Sequence, residues 1–184
     1  YPIDRFAYYT QSGASLVGFG AKYFGACNST GILAGKKELV AAAFLHSFIG
    51  FETGDYETLG RPLKLDRQEI VAVVVALKEW LSLDHDARIS EHWVKADRIM
   101  AALNDIPNIE TKRHVEDNSL SNGVMLTLDE EALGKPATAV IEALKEGDPS
   151  IWTRGQQNRI RVAVAHLVED EMDIVIKRLR ELLS

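Results

Sequence analysis

The chain of 184 residues is long enough for one ordinary domain plus a smaller lobe, and its 46% hydrophobic content can build a core. A formal net charge of -6 argues against a nucleic-acid face, which needs clustered lysine and arginine to displace counterions. A single cysteine excludes an internal disulfide and suits a reducing cytoplasm, and no apolar run approaches the roughly 20 residues of a membrane span.

In chain order, Ile3 to Gln11 predicts a short helix whose aromatics Phe6, Tyr8 and Tyr9 pack into the core, with Pro2 suited to its first turn. Leu16 to Phe19 reads as a buried strand and Gly31 to Ala34 as its neighbour. Between and beside them Gly18, Gly20, Gly25 and Gly31 surround one lysine, Lys22. Glycines permit backbone angles closed to other residues and the close approach of a ligand. A lysine at a strand end among small and aromatic residues is expected to be poorly hydrated, which lowers its pKa and frees some neutral amine to attack a carbonyl. A drop from about 10.4 to about 7.4 needs roughly 4 kcal/mol, which a pocket can supply. On spacing alone, a surface lysine in a glycine-rich turn remains the alternative.

Glu38 to Phe48 predicts a helix with Leu39, Ala42, Ala43 and Leu45 on its apolar side and His46 near its end. Ile49 to Leu65 has no clear period and reads as a long ordered loop carrying Arg61 and Lys64. Arg61 could grip a phosphate or carboxylate with two parallel bonds, or form an ordinary ion pair with Glu52, Asp55 or Glu57. Asp66 with Glu69 has the form of a reciprocal helix cap. The helix that follows buries Ile70, Val73, Val74, Leu77 and Leu81, and the apolar spacing resumes at Ile89, Trp93, Ala96, Met100 and Leu103. This predicts one long connecting helix over 66–105, bent near Asp84. His85 and His92 share a face there, but a third metal ligand is lacking, so a solvated helical face is expected and no metal site.

From Ile106 the period alternates: one strand holds Ile109, Thr111, Arg113 and Val115, the next Val124, Leu126 and Leu128, with Asp117 to Gly123 connecting them. Pro136 opens a helix with Ala139, Val140, Ala143 and Leu144, Ile151 to Arg154 forms a short strand, and Ile160, Val162 and Val164 line one face of another. A terminal helix, Glu171 to Leu183, buries Met172, Val175, Ile176, Leu179 and Leu183. The class is α/β, with a first part over 1–65, the connecting helix over 66–105 and a small α/β domain over 106–184.

Three signatures add a resemblance. Gly20-Ala21-Lys22 with Gly25-Ala26-Cys27-Asn28-Ser29-Thr30-Gly31-Ile32-Leu33 and Gly35-Lys36-Lys37-Glu38-Leu39 resembles the cofactor-lysine segment of the selenocysteine synthase-like group. Gly60-Arg61-Pro62-Leu63-Lys64 and Gly147-Asp148-Pro149-Ser150-Ile151-Trp152-Thr153-Arg154 are similar to two further signatures of the group, in the same order. Its members are pyridoxal-phosphate enzymes of the aspartate-aminotransferase fold (fold type I), among them selenium transferases and sugar-acid ammonia-lyases. Cys27 stands where the group usually has proline, Ser15 where Gly-Ala-Asp-Leu is common, and the serine that often precedes the lysine segment is absent.

The resemblance implies that 1–65 is the C-terminal part of a cofactor-binding large domain and that Lys22 is the Schiff-base lysine. It implies that Asn28, Ser29 and Thr30 line the cofactor pocket and that Arg61 and Arg154 contact the substrate. The group's ring-stacking residue, the acid that pairs with the pyridine nitrogen, and the main phosphate loop all lie upstream of this segment. The chain is therefore expected to be the C-terminal half of a larger, cytoplasmic enzyme, a dimer or higher homo-oligomer acting on a small amino substrate, with neither nucleic acid nor membrane as partner. Elimination or deamination of an amino-acid-like or amino-sugar-acid substrate is favoured over transamination or selenium transfer. The rival class is a catalytically inactive interaction or assembly module of the same fold.

Overall fold

The computed structural model describes residues 2–54, 59–115 and 123–184, with side chains described from Ala7 onward. The Asp55 and Glu57 partners expected for Arg61, the side chain of Phe6 and most of the 117–123 connection lie outside the described residues. The chain is a mixed α/β protein that divides into two compact units, 1–85 and 86–184. Among the described residues no helix is long and apolar enough to cross a membrane.

In the first unit, helix α1 (Pro2–Gln11) leads into strand β1 (Leu16–Gly20), which pairs antiparallel with β2 (Gly31–Gly35). The pairing expected from the two apolar runs is present, with Phe19 opposite Ile32 and Gly20 opposite Gly31. Neither strand is buried, however: their residues are exposed or half-buried throughout. A two-stranded ribbon has two open edges and little to cover it, so apolar composition alone does not bury it. Tyr8 and Tyr9 are likewise exposed, ring edge against ring face at 5.2 Å, rather than in a core. Gly35 at the base of the hairpin has φ +150°, and a Cβ there would lie 2.3 Å from the Ser15 carbonyl oxygen, so this close approach requires glycine.

Helix α2 (Lys37–Leu45) is followed by α3 (Phe48–Thr53) inside the stretch expected to be a loop. The signal missed was Ser47, whose hydroxyl accepts the Gly50 N–H at 3.4 Å and caps α3. Helix α4 (Arg67–Ser82) follows, and the anticipated long helix is interrupted: the Leu83–Asp84 step separates α4 from α5 (His85–Leu103). At that break His85 folds back, its Nε2 2.9 Å from the Trp80 carbonyl and its ring 4.8 Å from the indole. The expected solvated histidine face is corrected on both counts, since His85 is buried and His92 is half-buried with an Nδ1 that finds no hydrogen-bond partner. Burial, followed by the charges of Arg88 and Lys95, lowers the His92 pKa below the ordinary histidine value.

The buried face of α4 also differs from expectation. Ala76 and Trp80 are buried, with Val73 and Leu77 partly so, whereas Ile70, Val74 and Leu81 are exposed. The run Val71–Val75 makes α4 apolar nearly all round, so periodicity alone cannot say which side packs.

The second unit is a four-stranded antiparallel sheet in the order β3-β4-β6-β5. Its strands are β3 (Ile109–His114), β4 (Gly123–Leu128), β5 (Arg154–Gln156) and β6 (Arg159–Ala163). The short strand expected over 151–154 thus begins at Arg154. Helices α5, α7 (Ala137–Lys145) and α8 (Glu169–Leu183) contribute Ala96, Ile99, Leu103, Val140, Leu144, Leu179 and Leu183 to one core with Val124, Leu126, Ile160 and Val162. A short α6 (Glu130–Leu133), capped by the Asp129 carboxylate, precedes α7. Ion pairs join α5 and the turn after it to their surroundings: Arg98 reaches Asp173 at 2.6 Å, Arg113 stacks on Trp93 and pairs with Asp97, and Arg180 pairs with Asp105 at 2.6 Å.

Candidate functional site

The connection between β1 and β2 begins with a 3₁₀ turn, Ala21–Phe24. In such a turn residues i and i+3 share a side, so one pair can face inward while the two residues between them face out. Ala21 and Phe24 take the inner positions at 0% and 8% exposure, and Phe24 packs near Trp80 of α4, with ring centroids 6.4 Å apart. Lys22 and Tyr23 therefore point outward. Gly25 ends the turn at φ 100°, a left-handed position that glycine takes without cost.

The connection is closed at both ends. The Ala21 N–H bonds to the Thr30 carbonyl at 2.9 Å, and the Thr30 hydroxyl donates to the Cys27 carbonyl at 2.6 Å. The Ser29 hydroxyl donates to Glu69 on α4 at 3.3 Å. That bond explains a second difference from the sequence reading: Asp66 stands at the N-cap of α4 but makes no side-chain cap, and Glu69 is engaged with Ser29 instead.

Lys22 itself is exposed, with its Nζ 5.2 Å from the centroid of the Tyr23 ring. The desolvation expected from the sequence is not supplied by the residues of this unit, because the glycines beside it contribute no side chains to cover it. Among the described residues the Lys22 amine makes no ion pair. Asn28, farther along the same connection, is also exposed. An open, mainly apolar groove of about 620 Å³ runs along α4 beside Gly25, lined by Arg67, Val71, Val75 and Ala76; Lys22 does not line it.

Arg61 lies elsewhere in the first unit. It forms the ion pair with Glu52, at 3.6 Å, and sits over the rings of Phe48 and Phe51. Arg154 belongs to the second unit, at the start of β5 opposite Arg161 of β6. The structure thus gathers Lys22, Asn28, Ser29 and Thr30 in one connection and holds Arg61 in a separate cluster of the same unit. Two residues passed over in the sequence are Glu69, hidden by its apparent role as a cap, and Arg159, whose alternation with Ile160 and Val162 was the available signal. Among the described residues no group of three or more His, Cys, Asp or Glu side chains could hold a metal ion.

No family model matches the chain. It is 28% identical over 180 residues to a 5'-C-glycyluridine monooxygenase-decarboxylase from Streptomyces sp, covering 95% of this chain and 43% of that protein. A solved structure of D-glucosaminate-6-phosphate ammonia-lyase superposes with a TM-score of 0.67 at 22% identity, covering 95% of this chain and 45% of that one. The chain therefore shares its fold with part of that ammonia-lyase, and it spans less than half the length of either protein. Both are enzymes.

Proposed function

We propose that the chain carries the cofactor-lysine part of a pyridoxal-phosphate-dependent lyase or transferase of fold type I. The observation that carries this reading is the outward amine of Lys22 on a braced turn, free of carboxylate partners among the described residues. The three sequence signatures and the likeness to an ammonia-lyase support it. In the proposal, residues 1–65 belong to the cofactor-binding domain, 66–105 connect, and 106–184 form the small domain.

The residues present suit an aldehyde cofactor through the chemistry of their donors. A primary amine is the group that condenses with an aldehyde, and Lys22 offers one that no ion pair ties down among the described residues. Asn28, Ser29 and Thr30 would line the cofactor's surroundings, Asn28 as donor and acceptor, Ser29 and Thr30 through hydroxyl lone pairs left after they donate to Glu69 and Cys27. When bound, pyridoxal phosphate supplies an electron-poor ring that takes up negative charge developing at the substrate's α-carbon. Lys22 then holds or moves the proton at that carbon through Nζ. Arg61 and Arg154 bind anionic groups of the substrate, each guanidinium able to form two parallel hydrogen bonds to a carboxylate. The desolvation that activates Lys22 is assigned to parts of a longer protein or to a second copy, in keeping with relatives more than twice this length.

5'-C-Glycyluridine and D-glucosaminate-6-phosphate, the compounds named for the two similar proteins, both carry an amine and a carboxylate on one carbon beside a sugar-like body. The substrate class proposed here is the same: a small α-amino acid with a polyhydroxylated side chain, undergoing elimination or deamination. A second reading, decarboxylation at the same carbon, is favoured by the decarboxylase relative. The proposed setting is the cytoplasm, as a homodimer or larger assembly.

The test is covalent capture. The chain is mixed with pyridoxal phosphate, reduced with borohydride and digested, and the modified peptide is identified by mass spectrometry, alone and with a chain supplying the part of the two similar proteins that this chain does not cover. One pyridoxyl group at Lys22, lost in Lys22→Ala, is expected. Labelling spread evenly over Lys36, Lys37 and other surface lysines, or none at Lys22 in either setting, overturns the reading and leaves the assembly module.

A further inference from the structure

Strand β6 ends at Ala163, and the chain turns over residues 164–167 before α8 begins at Glu169. The Leu167 N–H closes the turn by donating to the Val164 carbonyl at 3.2 Å. Val164 is fully buried and Leu167 packs against the same core, so the turn is held from beneath. From the side it is held by α5. The Lys95 ammonium donates to the Leu167 carbonyl at 2.7 Å, and Arg98 pairs with Glu169 and Asp173 in the first turns of α8. His92 stands three residues before Lys95, as Lys95 does before Arg98, so successive members lie about one helical turn apart.

His92 differs from the two cations that follow it. Its ring is half-buried, and its Nδ1 has neither solvent nor a hydrogen-bond partner among the described residues. A neutral ring with its hydrogen on Nε2 leaves only a lone pair at that buried atom. A protonated ring places an N–H there with nothing to accept it. The charged and titratable groups around the ring are Arg88, Glu91 and Lys95 from α5 and His166 from the turn. One carboxylate among them stands against two fixed cations and a second imidazole. Burial first, then Arg88 and Lys95, accordingly keep the His92 pKa below the ordinary 6.5.

We propose that the contact between α5 and the 164–167 turn is an acid-released clasp, closed while His92 is neutral and opened when its ring takes up a proton. The protonated ring is hydrated once the turn lifts, and its charge repels the Lys95 ammonium that holds Leu167. The closed form binds fewer protons than the open one below pH 6.5. Closure is therefore favoured in full above that value and loses its advantage as pH falls through the folded pKa. Arg98 with its two carboxylates is a second tether, so the opening is local to the turn and α8 stays docked. The clasp lies within the second unit and is independent of Lys22.

The full chain is followed by amide hydrogen exchange with mass spectrometry at pH 7.5 and pH 5.5, each rate divided by that of the unfolded chain at the same pH. Peptides covering 164–168 should exchange about fivefold faster at the lower pH, with a β4 peptide unchanged. His92→Phe keeps a ring without a titrating nitrogen and should remove most of that difference. Lys95→Met, which takes away the donor to Leu167, should exchange fast at both values, and His166→Gln should behave as the parent. Circular dichroism confirms that each variant is folded. Proton NMR of the His92 ring in the parent measures its titration directly and decides the matter where His92→Phe does not fold. A turn equally protected at both values, a difference kept in His92→Phe or lost in His166→Gln, or a His92 ring that titrates at or above 6.5 overturns the proposal. So does equally faster exchange in β4, which would make the acid response global.

Discussion

Ser29 donates its hydroxyl to the Glu69 carboxylate at 3.3 Å, tying the β1–β2 connection to the first turn of α4 across 40 positions of sequence. The bond is exposed, so its net contribution is under about 1 kcal/mol. Ser29→Ala should cost less than Glu69→Ala, because the released carboxylate can turn back to cap the N-terminus of α4. Urea midpoints for the two variants and the parent measure this; a Ser29→Ala cost equal to or above that of Glu69→Ala shows that the capping alternative is never used.

Phe24 anchors the turn that carries Lys22. Phe24→Ala removes a buried ring packed near Trp80 and should destabilise the first unit by about 3 kcal/mol. Tyr23→Ala, next to it but 75% exposed, should stay within about 0.5 kcal/mol. Denaturation followed by tryptophan fluorescence separates the two. A large loss at Tyr23 means that its ring is covered in solution.

Asp105 is held near pKa 2 by its hydrogen bonds from the Arg180 guanidinium, against an ordinary 3.8. A carboxylate whose folded pKa is depressed stabilises the fold above its unfolded pKa and loses that contribution as pH falls through the folded one. The loss therefore falls between about pH 4 and pH 2. Both partners are exposed, so the effect should shrink as salt is added. Melting temperature against pH for Asp105→Asn should be flatter than the parent over that window. The Asp97 carboxyl, lowered chiefly by its hydrogen bond from Arg113, predicts the same sign.

Val71 and Val74 stand 60% and 61% exposed on α4. On an open helix face alanine is preferred to a β-branched residue, so Val71→Ala and Val74→Ala should stabilise by a few tenths of a kcal/mol each. A loss of more than about 1 kcal/mol would instead mean that the face is covered in solution, and sedimentation of the parent would then reveal self-association.

Most of the second unit was legible in the sequence. Ile109, Val124, Leu126, Ile160 and Val162 alternate cleanly, and Met172, Val175, Leu179 and Leu183 repeat at helical spacing, because each element has one face to bury and a polar face to show. The first unit was harder to read. Its strands and α4 are apolar on several sides, so composition announced elements without saying what covers them, and Leu16, Val74 and Leu81 came out exposed. Local polar chemistry also competed. Glu69 had the spacing of a cap and bonded Ser29, while Ser47 capped a helix inside an apparent loop. At the candidate site, glycine spacing and the flanking motif singled out Lys22. Its exposure could not be read there, because it depends on the inward placement of Ala21 and Phe24 and on what lies above the turn.

That placement makes the direction of the amine a matter of counting. With about three residues to each turn, two residues inserted between Ala21 and Lys22 carry the lysine to the inner side now held by Phe24, away from solvent. No change of side-chain chemistry restores it. Changes of length should thus be tolerated in the stretch beyond Gly25, and deletion scanning along the connection should find a sharp edge there, with reactivity lost on one side and kept on the other.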